Sequence, residues 1–379
     1  YSNSPLTSLT CHLLLQTKLP DYYEVWMDIA CNLTHLIESR TLRDVVQKMP
    51  ELSLHHLHSH RELRLAHLAL GVITMGYVWQ EGQMAPAQVL PRNLAVPYCL
   101  LSQKLGLPPI LVYADVVLAN WKLKDPNGNI EVIFSLPGGE TCSGFIIVSM
   151  LVEKAAGPGI MVCTSTVPIF HISTLRLGLG EVTRALKSMK EAFELMHYSD
   201  SKKGISRWRD NPMLPNGLVY EDISDEPVLL SGGSAGQSSS IQCFDALLCV
   251  RHYDETAAFL ARMREYMPAP HQRLIHSLSG SLRDFIMPCS NPDLCRSYNS
   301  CITALLDLRN YHINTVAKYV LVPAHHARLS GCPLGGVGMA LDSRGAGGSN
   351  IMGFLKTVRN NTQKALIEAA VLEHTVAFR

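Results

Sequence analysis

The sequence predicts a helical protein, and three observations carry that prediction. Long segments have apolar residues at helical spacing, strand-like alternation is scarce and short, and no strand–helix alternation points to a parallel sheet. Helical spacing runs through "YYEVWMDIACNLTHLIES" from Tyr22, "RELRLAHLALGVITMGYVW" from Arg61, "EVTRALKSMKEAFELMHY" from Glu181 and "DETAAFLARMREYM" from Asp254. "DPNGN" at Asp125–Asn129 and "LPGGE" at Leu136–Glu140 are turn chemistry and set the expected domain boundary. The Gly-rich run from Ser330 to Asn350 is too long for an ordinary connection and is expected to be functional or mobile.

At 379 residues the chain can build one large or two ordinary domains. Its 33 basic and 32 acidic residues leave a net charge of +1, too little for a broad field that would draw nucleic acid or an anionic membrane. A small neutral ligand fits better. Ser149, Glu153 and Lys154 interrupt the apolar stretch around Phe145–Ile147, short of the ~20 residues of a membrane span. The 11 cysteines never fall into a zinc-binding spacing, so reduced, scattered thiols in a cytoplasmic protein are expected. Residue 1 is Tyr rather than Met, and "CHLLLQ" lacks the flanks of a secretion signal, so the start reads as truncated or processed.

Three motifs bear on chemistry. "SGGSAGQSSSIQCF" from Ser231 holds Gly-x-Ser-x-Gly at Gly232, Ser234 and Gly236. A hydrolase elbow would need a parallel sheet beneath Ser234 and partners such as Asp245 or Asp307 with His312. Only Val228–Leu230 offers a strand, so this reading is an outside one. "LHHLHSH" at Leu54–His60 places His56 and His60 four apart, but no Cys or carboxylate cluster completes a metal set, and a solvated helix start is expected. The third is "NPDLCRSYNSCITALLDLRNYHINTVAKYVLVP". Asn291 suits a cap, Pro292 the first helical position, Asp293 the positive helix end, and Pro323 the stop. Leu294, Tyr298, Cys301, Leu305, Leu308, His312, Thr315 and Tyr319 form the inward stripe. A histidine there is either a core residue satisfied by one hydrogen bond or a neutral ligand for a metal or haem. Arg309, three residues earlier, is either an ordinary surface or ion-paired arginine or an anchor for an anionic group such as a haem propionate.

Six blocks, "LPRNLAVPY" from Leu90, "LPPILVYADVVLANW" from Leu107, "GFIIVSMLVEKAA" from Gly144, "GGSAGQSS" from Gly232, "LRNYHINTVAKY" from Leu308 and "GAGGSNIMGFLKTVR" from Gly345, together resemble the indoleamine 2,3-dioxygenases. "HRELRLAHL" and "GYVWQEG" resemble the second vertebrate paralogue type more than the first. The resemblance implies an all-α fold, with a small N-terminal helical domain (residues 1–135) and a larger C-terminal one (residues 140–379) enclosing one haem b per chain. It implies His312 as the iron ligand, and Arg309, Ser149, Phe145 and Gly347 as cofactor contacts. Substrate contacts fall on Tyr113, Phe145, Gly233, Ser234, Ala235 and Ala346, with glycine at 233 allowing close approach of the backbone. No side chain is catalytic beyond the haem-bound O2. The implied reaction, in the kynurenine pathway of tryptophan catabolism, adds both atoms of O2 across the indole C2–C3 bond of L-tryptophan or a related indoleamine, giving N-formylkynurenine. The implied protein is a monomer with no nucleic-acid or membrane partner.

Two departures accompany the likeness. The family's Asp-Pro-x-x-Phe, arginine and Leu-Ser-Gly-Trp pattern is replaced by the shorter "FELMHYSDSKKGISRWRDNP" from Phe193, and its Gly-Thr-Gly-Gly by Gly345-Ala346-Gly347-Gly348. The first removes the arginine for the substrate carboxylate and the second a hydroxyl near the substrate ammonium. Low substrate affinity is therefore expected, and a catalytically weak or inactive haem protein that binds O2, like the family's myoglobins, is the alternative.

Overall fold

The computed structural model describes residues 17–82, 85–125, 128–165, 172–196, 214–278, 282–289, 291–318 and 351–368. The fold is all-α. The N-terminal part contains α1 (Glu24–Cys31), α2 (Leu33–Glu38), α3 (Leu42–Lys48), α4 (His60–Trp79) and α5 (Arg92–Leu105). The segment from Tyr22 forms two helices rather than one. α1 ends at Asn32, whose backbone leaves the helical region (φ −96°, ψ 11°), while its side-chain amide and its own N–H both donate to the Asp28 carbonyl, at 2.9 and 3.1 Å.

Ser59 starts α4 with a capping box: its hydroxyl accepts from Glu62 N at 3.1 Å while Glu62 accepts from Ser59 N at 2.7 Å. Of the histidines in this run, His55 and His56 lie in a short 3₁₀ turn (Leu54–His56), His58 lies between the turn and α4, and His60 opens α4; no group of three metal-binding side chains occurs among the described residues. The helix is buried on most of its surface from Leu65 to Trp79, as befits a central element.

Strands are short. β1 (Val89–Leu90) pairs in parallel with β4 (Leu218–Tyr220), which pairs antiparallel with β5 (Ser224–Val228); β2 (Lys122–Leu123) and β3 (Ile130–Glu131) pair antiparallel with each other. The Val228–Leu230 run thus ends an antiparallel ribbon, not a parallel hydrolase sheet.

The C-terminal part contains α6 (Gly139–Ala155), α7 (Gly157–Ser165), α8 (Ile172–Glu194), α9 (Ser239–Leu247), α10 (Asp254–Arg264), α11 (Ala269–Leu278), α12 (Leu282–Ile286), α13 (Pro292–Val316) and α14 (Ile351–Gln363). α8 begins nine residues before the expected Glu181, because Leu175 and Leu179 continue the buried stripe of Val182, Leu186 and Met189 backwards. α6 and α7 run on nearly without a break, so Gly139–Thr164 is long and apolar enough to cross a membrane by length and composition, despite the interrupting polar residues. Of those residues Ser149 and Glu153 are buried and Lys154 is exposed. α13 begins as expected, with the Asn291 side chain accepting from Leu294 N at 3.0 Å and Pro292 in the first turn.

Buried side chains gather in two cores. One joins α1–α6 with Leu214, Leu218, Tyr220, Phe259 and Met263; the other joins α7–α9 with α13 and the residues after α14. The nine described cysteines are all free, as expected for reduced thiols.

Candidate functional site

The first group of candidate residues is built by α6. Phe145, Ser149 and Glu153 recur every four residues and so lie along one line of the helix. Ser149 and Glu153 are buried, Phe145 partly so. Tyr113 meets this line from the other side, donating its hydroxyl to Glu153 Oε1 at 3.0 Å. Tyr113 opens a π-helical turn (Ala114–Ala119), a geometry that recurs at functional sites.

That turn is fixed by a network the sequence did not reveal. Asp115 accepts from Val112 N (3.2 Å), from Arg64 (3.4 Å) and from His67 Nδ1 (3.0 Å), and His67 Nε2 lies 3.1 Å from the Ser102 hydroxyl. Burial alone would raise the Asp115 pKa, but the charge and hydrogen bond of His67, with Arg64, bring it below its ordinary value. Ser102, His67 and Asp115 thus stand in the order of a nucleophilic triad. All three are buried, however, at 2%, 0% and 0% exposure, so the arrangement holds Val112 and Tyr113 in place rather than meeting a substrate.

The loop at 231–238 packs on the same turn. Gln237 accepts from Tyr113 N at 2.9 Å and donates to the Gly232 carbonyl at 2.8 Å. Ser234 accepts from Gly236 N at 3.2 Å as the cap of the short 3₁₀ helix Ala235–Gln237, with Ala235 exposed, so Ser234 is a local cap and no base activates it. A Cβ at Gly233 would sit 3.6 Å from Tyr113 N, an ordinary contact with the protein itself. Gly236 is the position where the space is closed, since its Cβ would come within 2.8 Å of Phe259.

The second group is carried by α13. Leu294, Tyr298, Cys301, Leu305, Leu308 and Thr315 are buried as the stripe predicts, whereas His312 is only partly buried. Its ring meets Phe193 of α8 edge-on at 5.5 Å. Burial, reinforced by the Arg309 guanidinium, pushes its pKa down to about 4. The ring is therefore uncharged at neutral pH. Neither ring nitrogen has a hydrogen-bond partner among the described residues, which leaves a lone pair for a metal. Among the described residues it belongs to no group of three metal-binding side chains, so the donor set suits a metal that brings its remaining ligands with it, as a porphyrin iron does, and not a bare ion.

Arg309 is buried and donates to both carboxylate oxygens of Asp245 at 2.8 and 2.7 Å, and also to Thr362. Burial would raise the Asp245 pKa, but Arg309 and then His252, whose Nε2 is 3.1 Å away, bring it below its ordinary value. The propionate contact expected of Arg309 would therefore share the guanidinium with Asp245. Asp307, the other acid considered for a triad, is exposed.

α9 links the two groups. At its start the Ser238 hydroxyl accepts from Ile241 N and donates to Glu153, the acceptor of Tyr113. Seven residues on, about 10 Å along the axis, Asp245 grips Arg309. The sequence assigns no role to Glu153, Ser238 or Asp115 here, and offers Asp245 only as a triad partner; Glu153 alone carries a signal, its four-residue spacing from Ser149. Ala346, Gly347 and the departures between residues 197 and 212 lie outside the described residues, as does Tyr319.

Fold and site together define an all-helical protein with an uncharged, partly buried imidazole set edge-on against an aromatic ring. The indoleamine 2,3-dioxygenase family model matches residues 12–365. Indoleamine 2,3-dioxygenase 2 of Mus musculus is 46% identical over 92% of this chain and 90% of that protein. Indoleamine 2,3-dioxygenase 1 of Rattus norvegicus is 44% identical over 92% and 91%, and a protein named myoglobin from Haliotis madaka is 36% identical over 92% and 94%. The chain belongs to the indoleamine 2,3-dioxygenase family.

Proposed function

We propose that the protein is a haem-dependent dioxygenase converting L-tryptophan and O2 to N-formylkynurenine, with low affinity for tryptophan. The observation that carries the reading is His312: an imidazole kept neutral, without a hydrogen-bond partner among the described residues, on the long helix of a chain in this family. When bound, haem iron supplies the centre at which O2 is activated. His312 would hold that group from α13, with Arg309, Ser149, Phe145 and Gly347 at its edge. Tyr113, Phe145, Gly233, Ser234, Ala235 and Ala346 would line the substrate pocket, where an apolar wall excludes water and orients the indole. Both oxygen atoms end in the product, so no paired carboxylates or nucleophile are required of the chain. The same reading takes the protein as a cytoplasmic monomer of two helical domains, residues 1–135 and 140–379.

The low affinity follows from the altered segment after Phe193. Loss of a buried cationic partner for a carboxylate costs roughly 2 to 5 kcal/mol, or about one and a half to three and a half decades in affinity. Protein reconstituted with hemin, reduced and given L-tryptophan should form N-formylkynurenine by mass spectrometry, and absence of product at millimolar tryptophan overturns the enzymatic reading. The relatives named myoglobin favour a second reading, a haem protein that binds O2. It predicts an oxy complex that tryptophan neither perturbs nor consumes.

A further inference from the structure

His312 lacks the usual fixture of a histidine that holds a metal. Such a ring almost always donates its second N–H to a carboxylate, a carbonyl or a water, and that bond sets its plane. Neither nitrogen of His312 has a hydrogen-bond partner among the described residues. An imidazole turns easily about its Cβ–Cγ bond, a soft torsion, so a ring without such a bond needs another restraint. The contact that the described residues supply is Phe193 of α8, with ring centroids 5.5 Å apart and planes at 81°, the edge-to-face arrangement that ring quadrupoles favour.

Phe193 is itself held. It meets Tyr311 at 5.6 Å, also with planes at 81°, so one ring packs against two consecutive side chains of α13. Lys190, three residues earlier on α8, carries its ammonium over the Tyr311 ring, 5.4 Å from the centroid, and pairs with Glu194. Attraction of the cation to the ring face keeps Tyr311 against α8. The register that joins these side chains is set far from them. Near the starts of the two helices Arg176 pairs with Asp293 at 3.2 Å. Further on, the Thr183 hydroxyl lies 3.2 Å from the sulfur of buried Cys301, which donates to the Leu179 carbonyl at 3.1 Å. Thr183 and Cys301 are 118 residues apart in the chain, and so are Phe193 and Tyr311. α8 and α13 therefore run parallel and in step over the roughly 15 Å between the two pairs.

We propose that Phe193 is the positioning residue of His312. Its ring, backed by Tyr311 and delivered by the parallel register of α8, blocks rotation of the imidazole about Cβ–Cγ and so aims the nitrogen that would meet the haem iron. The inference rests on the reading of His312 as the iron ligand, and adds that packing, not a hydrogen-bond acceptor, sets the plane of that ligand.

Resonance Raman spectra of the reduced, hemin-reconstituted full chain test this, because the iron–histidine stretching band responds to the orientation of the ring. Wild type should give one narrow band. Phe193→Leu removes the ring and keeps apolar bulk; it should shift or broaden the band and speed loss of haem to excess albumin about tenfold or more, as changes around a metal-bound histidine do. Phe193→Tyr keeps the ring and should preserve both the wild-type band and haem retention. Phe193→Met, also ringless and adaptable in shape, takes the place of Phe193→Leu should that variant not fold. A ringless variant whose band coincides with wild type in position and width overturns the positioning role while leaving the ligand assigned, and so does a Phe193→Tyr band that matches the ringless one. Absence of an iron–histidine band from haem-loaded wild type overturns the ligand reading itself, and this inference with it.

Discussion

Replacing Asp245 by Asn leaves the shape of the carboxylate and removes its charge, so it isolates what that charge does for Arg309. Both side chains are 8% exposed, and one guanidinium nitrogen of Arg309 reaches both carboxylate oxygens, at 2.8 and 2.7 Å. Removing one partner strands a buried guanidinium, which costs about 3 to 5 kcal/mol. In thermal melts of the haem-free protein at pH 7, that corresponds to a fall of roughly 5 to 10 °C. The sign of the pH dependence is fixed by the direction of the shift. The folded-state pKa of Asp245 lies below its ordinary value of 3.8, so the stability it contributes is complete above that value and is lost as pH falls through the lower, folded one. The gap between wild type and Asp245→Asn should therefore close as pH drops below 4. A double change, Asp245→Leu with Arg309→Met, removes both charges and should lie within about 2 kcal/mol of wild type. The reasoning fails if Asp245→Asn costs less than about 1 kcal/mol at pH 7, or if the double variant is less stable than the single one.

Three further outcomes are expected. His312→Ala should abolish retention of haem, read from the Soret band after gel filtration, whereas Ser234→Ala should retain it; equal haem content in wild type and His312→Ala refutes the assignment. Because the folded-state pKa of His312 is about 4 against an ordinary 6.5, the unfolded chain binds the extra proton first, and the haem-free protein should lose stability as pH falls from about 6.5 to about 4; the dependence should be flatter in His312→Phe. Asp115→Ala should cost about 3 to 5 kcal/mol by urea unfolding, since it strips buried His67 and Val112 N of their acceptor, and Asp115→Asn should recover part of that loss.

What the sequence made legible was local or periodic. The cap at Asn291, the proline after it and the stripe down to His312 are all set within one helix, so the residues alone located α13 and singled out its histidine. Asn32 shows the limit of periodicity, because the apolar pattern continues through it while its backbone leaves the helical region, at φ −96° and ψ 11°. α8 was recognised nine residues late because Gly178 and Gly180 mask the periodic Leu175 and Leu179 in front of Val182. The site around Tyr113 was visible only as family blocks. Its hydrogen bonds join residues far apart in the chain: His67 with Asp115, Tyr113 with Gln237, and Ser238 with Glu153. Nothing in a single sequence sets such pairs together.

The Gly-x-Ser-x-Gly stretch shows why a motif has to be read with the bonds it makes. Ser234 spends its oxygen on the backbone of its own turn, while Ser238, four residues later and outside the motif, serves two roles at once. It caps α9 and it donates to Glu153, where Tyr113 also ends. α9 is nine residues long, about 13 Å of hydrogen-bonded rod, and its other end is tied through Asp245 to the arginine one turn from His312. The separation between Tyr113 and His312 is thus constrained by a helix held at both ends through buried, charge-assisted contacts, which are roughly twice as strong as neutral ones. A loop carrying the same glycines without Ser238 and Asp245 would leave both groups of residues present but their spacing unset, so the function of this stretch lies in anchoring a strut rather than in presenting a nucleophile.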